Sequence, residues 1–456
     1  MNRVVVRPSI RTLVSSLAAG DVSARSLVDE CLAAIEDPAG EGSRAFLSVA
    51  TDAARATADS YDAVRASGGT VPPFAGIPVA VKDLCDIEGQ VTAAGSTVLA
   101  SSPPASQDAP AMARLRAAGF IPIGRTNMTE FAYSGLGLNS HFDTPRSPWD
   151  RATGRIPGGS SSGSAVAVAD GMAVAGLGTD TGGSCRIPAA FCGIVGYKPT
   201  ARRIPLDGIV PLSFSLDSVG PLGRSVDCCA MVDDVFAGGS GLVAESKTPA
   251  DRIQLGVLHD LVLDQMDDTV GEAYRQSLAS LAAAGVKLVD VEFPELHDIP
   301  HLYRSGGLAM AEAYAWHQEL LATRGDEYDQ RVRTRIEPGA ASTAAYYIEV
   351  VQGRKRLIAT ATSKLGTLDA FVMPTAPTIP PTVASFDSGD RDYYTTQNLQ
   401  ALRNPSIGNF LDACAISLPV QAPGGAPTGL MLMGRPMGDE ALFAVARTVE
   451  QVLSIS

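Results

Sequence analysis

The chain has 456 residues, of which 45% are hydrophobic and 19% charged, and its formal net charge is −13. That composition supports a large buried core and excludes a chain dominated by disordered tails. The acidic balance argues against a nucleic-acid partner, which would need clustered lysine and arginine.

Met1–Pro8 contains no apolar leader, and residues 9–67 read as a helical segment. Apolar residues recur at three- and four-residue spacing through Ile10, Leu13 and Leu17, then Leu27, Cys31 and Ile35, with Ser23 placed to cap the second helix. Residues 77–81 form a β-branched run that predicts a buried strand. Ala109–Ala118 predicts a helix and Phe120–Ile123 a strand. Ser164–Met172 reads as a buried helix, followed by a strand over Ala173–Leu177. In the second half the expected strands are Ile253–Leu258, Val286–Val291, Ala370–Met373, Cys414–Leu418 and Leu430–Met433. Helices are expected over residues 267–284, 307–323, 343–365 and 439–453. This alternation predicts a single large α/β domain over residues 1–456, with a mixed, mostly parallel central sheet covered by helices on both faces. No run of about 18 apolar residues occurs, so no membrane span is expected, and the expected location is the cytoplasm. Seven cysteines without a CxxC spacing read as reduced thiols, mostly in the core.

Chemistry concentrates between residues 73 and 224. Gly158-Gly159-Ser160-Ser161-Ser162-Gly163-Ser164 and Gly178-Thr179-Asp180-Thr181-Gly182-Gly183-Ser184 are two serine-bearing glycine loops. Glycines free the backbone to turn successive N–H groups toward one point, which makes an anion-binding nest. Upstream, Lys82 ends an uncharged run, Gly76-Ile77-Pro78-Val79-Ala80-Val81. A lysine buried there loses proton affinity and becomes a base near neutral pH; a lysine reaching water from a strand end is the competing reading. Covalent amide hydrolysis needs a nucleophile, a base and donors for the oxyanion, and two serines with one lysine supply these without histidine, metal or other cofactor.

These loops, with Gly124-Arg125-Thr126-Asn127-Met128-Thr129-Glu130-Phe131-Ala132, Arg186-Ile187-Pro188-Ala189-Ala190-Phe191-Cys192-Gly193 and Gly196-Tyr197-Lys198-Pro199-Thr200, resemble the amidase signature family of serine amidohydrolases. The resemblance implies Ser184 as acylating nucleophile, Ser160 as a bridging serine on a cis peptide after Gly159, and Lys82 as base. It implies an oxyanion hole from the N–H groups of Thr181, Gly182 and Gly183 with that of Ser184. It also suggests Met128, Phe131 and Tyr133 as lining of the acyl pocket, with core packing as the alternative for Phe131. Arg186 and Arg403 are candidates to bind a substrate carboxylate bidentately, although Arg186 is equally placed to pack behind the nucleophile loop. Arg202–Gly208 with Ser215–Pro221 look similar to bacterial members acting on small or urea-type amides. The expected partner is a small-molecule amide; a homodimer is open.

Rival readings exist. Gly159-Ser160-Ser161-Ser162-Gly163 matches GxSxG, with Ser161 as nucleophile and a distant histidine among His259, His297, His301 and His317. Cys185 and Cys85 are conceivable thiol nucleophiles. His297 and His301 are separated by Pro300, which argues against a shared helical metal face. The chain also resembles the glutaminase component of the tRNA-dependent amidotransferase, which works within a larger assembly. Leu402-Arg403-Asn404-Pro405 lacks an aspartate that this component's pattern would place nearby.

Overall fold

The computed structural model describes residues 8–455, so the Met1–Pro8 reading lies largely outside the described residues. Ser23 caps the helix Ala24–Glu36 as expected: its side chain accepts from Ser26 N–H while Ser26 Oγ takes the Ser23 N–H, a reciprocal cap. Ile10, Leu13 and Leu17, and then Leu27, Cys31 and Ile35, form the buried stripes of the first two helices.

Eleven strands build one sheet. They are β1 (Phe46–Val49), β2 (Pro78–Lys82), β3 (Ile121–Thr126), β4 (Ala175–Thr179), β5 (Val195–Lys198), β6 (Val219–Gly223), β7 (Gln254–Leu258), β8 (Lys287–Val291), β9 (Ala370–Pro374), β10 (Ala415–Pro419) and β11 (Gly429–Met433). Their order across the sheet is β1-β3-β2-β4-β6-β5-β10-β11-β9-β7-β8. The sheet is mixed, as expected, but it is not mostly parallel. Only β2–β3, β2–β4, β7–β8 and β7–β9 pair in parallel, while the other six pairings are antiparallel. The correction comes from β1, β5 and β6, which the sequence pattern does not reveal. Glycine and proline demote a strand reading, and β6, Val-Gly-Pro-Leu-Gly, lies mid-sheet with Pro221 opposite Leu177.

Helices cover both faces, and β11 shows how. Leu430 and Leu432 pack with Tyr274, Leu281, Leu442 and Phe443 from the helices Asp268–Ala283 and Asp439–Ile455. Met431 and Met433 face the other way, against Leu357 and Phe410 of the helices Ala344–Leu365 and Arg391–Phe410. Alternate residues of one strand thus serve two cores. The seven cysteines are unpaired and buried. No described helix is long and apolar enough to cross a membrane.

Candidate active site

Lys82 is the last residue of β2 and is completely buried. Its Nζ lies 2.8 Å from Ser160 Oγ and 2.8 Å from Thr179 Oγ1. Burial pulls its pKa down to about 8, against the opposing pull of Cys185, Asp180 and Asp217. Ser160 follows a cis peptide after Gly159, and its carbonyl accepts from Thr129 N–H at 3.2 Å. Glycine is required at 159 because a Cβ there would sit 2.5 Å from Gly137 N. The next turn begins the apolar helix Ser162–Ala169.

β4 ends at Thr179, and the loop from Asp180 to Ser184 turns into the helix Arg186–Cys192. The loop is organised around the buried Asp180 carboxylate. Oδ1 accepts from Gly183 N–H at 2.9 Å and Oδ2 from Cys185 N–H at 3.0 Å. Arg186 closes a two-pronged ion pair on the same oxygens, Nη2 to Oδ1 at 2.9 Å and Nε to Oδ2 at 3.1 Å. Burial alone would push this carboxyl up; Arg186 and Asn409 outweigh it and hold it well below the usual carboxylate range. Gly183 has φ +130°, and a Cβ there would lie 2.5 Å from Pro405 Cβ, so only glycine fits beneath the helix Arg391–Phe410. Leu402 of that helix rests over Gly182. Ser184 is 3% exposed, and Ser161 N–H donates to its carbonyl at 3.2 Å.

Two assignments need correction. Gly183 N–H is committed to Asp180, so the backbone donors without an acceptor among the described residues are those of Thr181, Gly182 and Ser184. Arg186 is not a substrate ligand. It is fully buried and every nitrogen is engaged, with Nη1 donating to Pro405 O at 2.8 Å and Nη2 also to Asn409 Oδ1 at 2.7 Å. It holds the nucleophile loop from behind.

Arg403 is half-buried and makes no ion pair among the described residues. Nε donates to Asn404 Oδ1 at 3.1 Å and Nη2 to Val262 O at 3.3 Å. Burial lowers its pKa, with Asp264 opposing. Met128, Phe131 and Tyr133 are buried together with Leu212, Ala313 and Tyr328, in a segment tied to Ser160 through Thr129. Phe131 and Ala132 adopt φ of 50° and 60°, a conformation uncommon outside glycine. His317 stands edge-on to Phe131, with ring centroids 4.5 Å apart, and its Nδ1 bonds Tyr328 O–H at 2.9 Å.

The rival constellations do not assemble. Ser161 Oγ is spent on Thr179 O at 3.3 Å, His259 pairs with Asp290, and His317 sits in the aromatic cluster. Burial pushes the Cys185 thiol up and that of Cys85 up to about 12, away from thiolate chemistry.

The sequence reading missed Thr179, Asp180, Asp217 and Asn409. Asp180 left a signal, an acid just before Gly-Gly and six residues before an arginine; Asn409, distant in sequence, left none.

Residues 26–443 match the Amidase family. The chain is 35% identical to a 2-amino-5-chloromuconic acid deaminase of Comamonas testosteroni, over 88% of this chain and 86% of that protein. It is 33% identical to the glutaminase component of the glutamyl-tRNA(Gln) amidotransferase of Chloroflexus aurantiacus, over 96% and 95%. It superposes on an amidase crystal structure with a TM-score of 0.87 at 31% identity, covering 97% of this chain and 99% of that one. A matched family spanning most of the chain, and relatives above 30% identity along nearly all of it, lead to one conclusion: this chain belongs to the amidase family and is a C–N hydrolase.

Proposed function

We propose that the chain is a serine amidohydrolase that cleaves a carboxylic or urea-type amide through an acyl-enzyme on Ser184. The observation that carries this reading is the fully buried Lys82 Nζ, 2.8 Å from Ser160 Oγ and with its proton affinity lowered by burial. Neutral Lys82 accepts the Ser160 proton as Ser160 takes that of Ser184. Ser184 Oγ bonds to the amide carbon, and the N–H groups of Thr181, Gly182 and Ser184 receive the oxyanion. Ser160 returns the proton to the leaving nitrogen as the C–N bond breaks, releasing ammonia or an amine. Water then attacks the ester, loses its proton to the same relay and frees the acid.

Arg403 gives the substrate reading a direction. It is a guanidinium without a carboxylate partner, next in sequence to Leu402, which covers the nucleophile loop. The deaminase relative is named for an acid substrate. An amide whose acyl part carries a carboxylate fits both facts.

The second reading, a glutaminase serving a tRNA-dependent amidotransferase, is favoured by the 33% identity with the Chloroflexus protein over 96% of the chain. Arg403 opposes it by placing a cation near where that glutaminase pattern holds an aspartate. The test is a serine-directed sulfonyl fluoride followed by peptide mass spectrometry, run beside hydrolysis assays without tRNA, ATP or a partner. We expect one adduct on Ser184 and partner-free turnover. An adduct elsewhere would sink the acyl-enzyme assignment, and turnover only with a partner would favour the second reading.

A further inference from the structure

Thr181 is tied to a part of the molecule that the serine–lysine relay does not touch. Its Oγ1 donates to Asp217 Oδ1. Asp217 Oδ2 accepts from the N–H groups of Leu212 and Ser213, at 2.9 and 3.0 Å. Ser213 Oγ donates to Glu312 Oε2, and Ser215 donates to the same carboxylate from both its N–H, at 3.0 Å, and its hydroxyl. Tyr347 O–H donates to Glu312 Oε1 at 2.7 Å. The segment is also stitched to the nucleophile loop directly, Asp180 N–H to Ser218 O at 2.8 Å and Ser218 Oγ to Asp180 O at 2.9 Å.

Asp217 and Glu312 are 5% and 7% exposed, and neither forms an ion pair among the described residues. A carboxylate buried without a cation is costly. Burial accordingly pushes Asp217 up to about 6, with the bonds from Thr181, Ser213 and Leu212 opposing and Glu312 adding to it. Neutral partners would hold a surface loop equally well at lower cost. The expensive group is placed where its acceptor oxygen fixes the hydroxyl of Thr181, whose own N–H has no acceptor among the described residues. Asp217 also acts on Lys82 through its charge, together with Asp180 and Cys185.

We propose that Asp217 is a positioning residue of the reaction: through Thr181 it aims the loop amides at the developing oxyanion, and its charge sustains the proton affinity of Lys82. Glu312 holds the segment that carries it. The proposal rests on the Ser184 acyl-enzyme reading.

The test measures kcat, KM and the pH–rate profile of Asp217→Asn, Thr181→Val and the double variant in the full chain. Each single variant is expected to lower kcat about tenfold or more, the scale of a misaimed hole donor, with KM within about threefold of the parent. The double variant should be no worse than the poorer single one, because both changes remove one device. In Asp217→Asn, and not in Thr181→Val, the rising limb assigned to Lys82 should move to lower pH, since removing a neighbouring anion lowers a lysine's pKa. A kcat within about twofold of the parent, losses that multiply in the double variant, or a limb that stays in place would overturn the proposal. If Asp217→Asn does not fold, Glu312→Gln keeps Asp217 while loosening Ser213 and Ser215. It should lower kcat at constant KM, and an unchanged kcat there also overturns the proposal. Sulfonyl fluoride labelling of the parent enzyme separates the two levels, because a missing Ser184 adduct refutes the acyl-enzyme reading itself.

Discussion

Lys82 decides the chemistry at the scale of single residues. A lysine held in the interior without a carboxylate in contact gives up its proton more readily, because the charged form loses its hydration. Here the side chain is fully buried and reaches only the hydroxyls of Ser160 and Thr179. The working form is the neutral amine, which grows as pH rises through about 8. Activity should therefore rise with pH along a limb centred near 8, and Lys82→Ala should remove about 100-fold or more of kcat, the range of a positioned general base. A flat pH–rate profile across that range would rule Lys82 out as the base. The run of uncharged residues before Lys82 made this burial legible in the sequence. The role of Thr179 was not, because a threonine at the end of a buried strand reads as ordinary packing.

At the scale of elements, the helix Arg391–Phe410 does what no motif announced. Pro405 lies inside it, and an interior proline reads as a helix break. The proline is instead used: it presses on Gly183, and its carbonyl accepts from Arg186. The same difficulty hid β5 and β6, whose glycines and Pro221 mask strands that the sheet forces to extend. The glycine loops and the periodic helices were readable because their spacing is local, whereas the nucleophile loop's supports come from distant sequence. This helix also presents Arg403, and the prediction belongs to it. Arg403→Met should raise KM about tenfold or more for an amide bearing a carboxylate, the scale of a charged hydrogen bond, and leave an uncharged amide of similar size unaffected. Equal KM values for both substrates in the parent and the variant would remove Arg403 from the binding site.

Across the whole molecule, the sheet divides the labour. The strands β1–β6 come from the first half of the chain and carry Lys82, Ser160 and Ser184, while β7–β11 come from the second half, and the two meet where β5 pairs with β10. The second half supplies the cover and the props. Asn409 is the clearest of these, since its Nδ2 donates to Asp180 O at 3.1 Å and Asp180 Oδ1 at 2.8 Å, while its Oδ1 accepts from Arg186 Nη2. Asn409→Leu keeps the volume and leaves a buried carboxylate and a buried guanidinium each short of a partner, which costs about 1–3 kcal/mol per group. The buried pair tolerates such a loss poorly, because neither charge can recover water. Stability and kcat should therefore fall together, read as a lower urea midpoint and a slower Ser184 acylation. This contrasts with Asp217→Asn, where kcat and the pH profile move through Thr181. An Asn409→Leu enzyme with the parent's midpoint and rate would mean that the second half merely covers the nucleophile loop and does not hold it in shape.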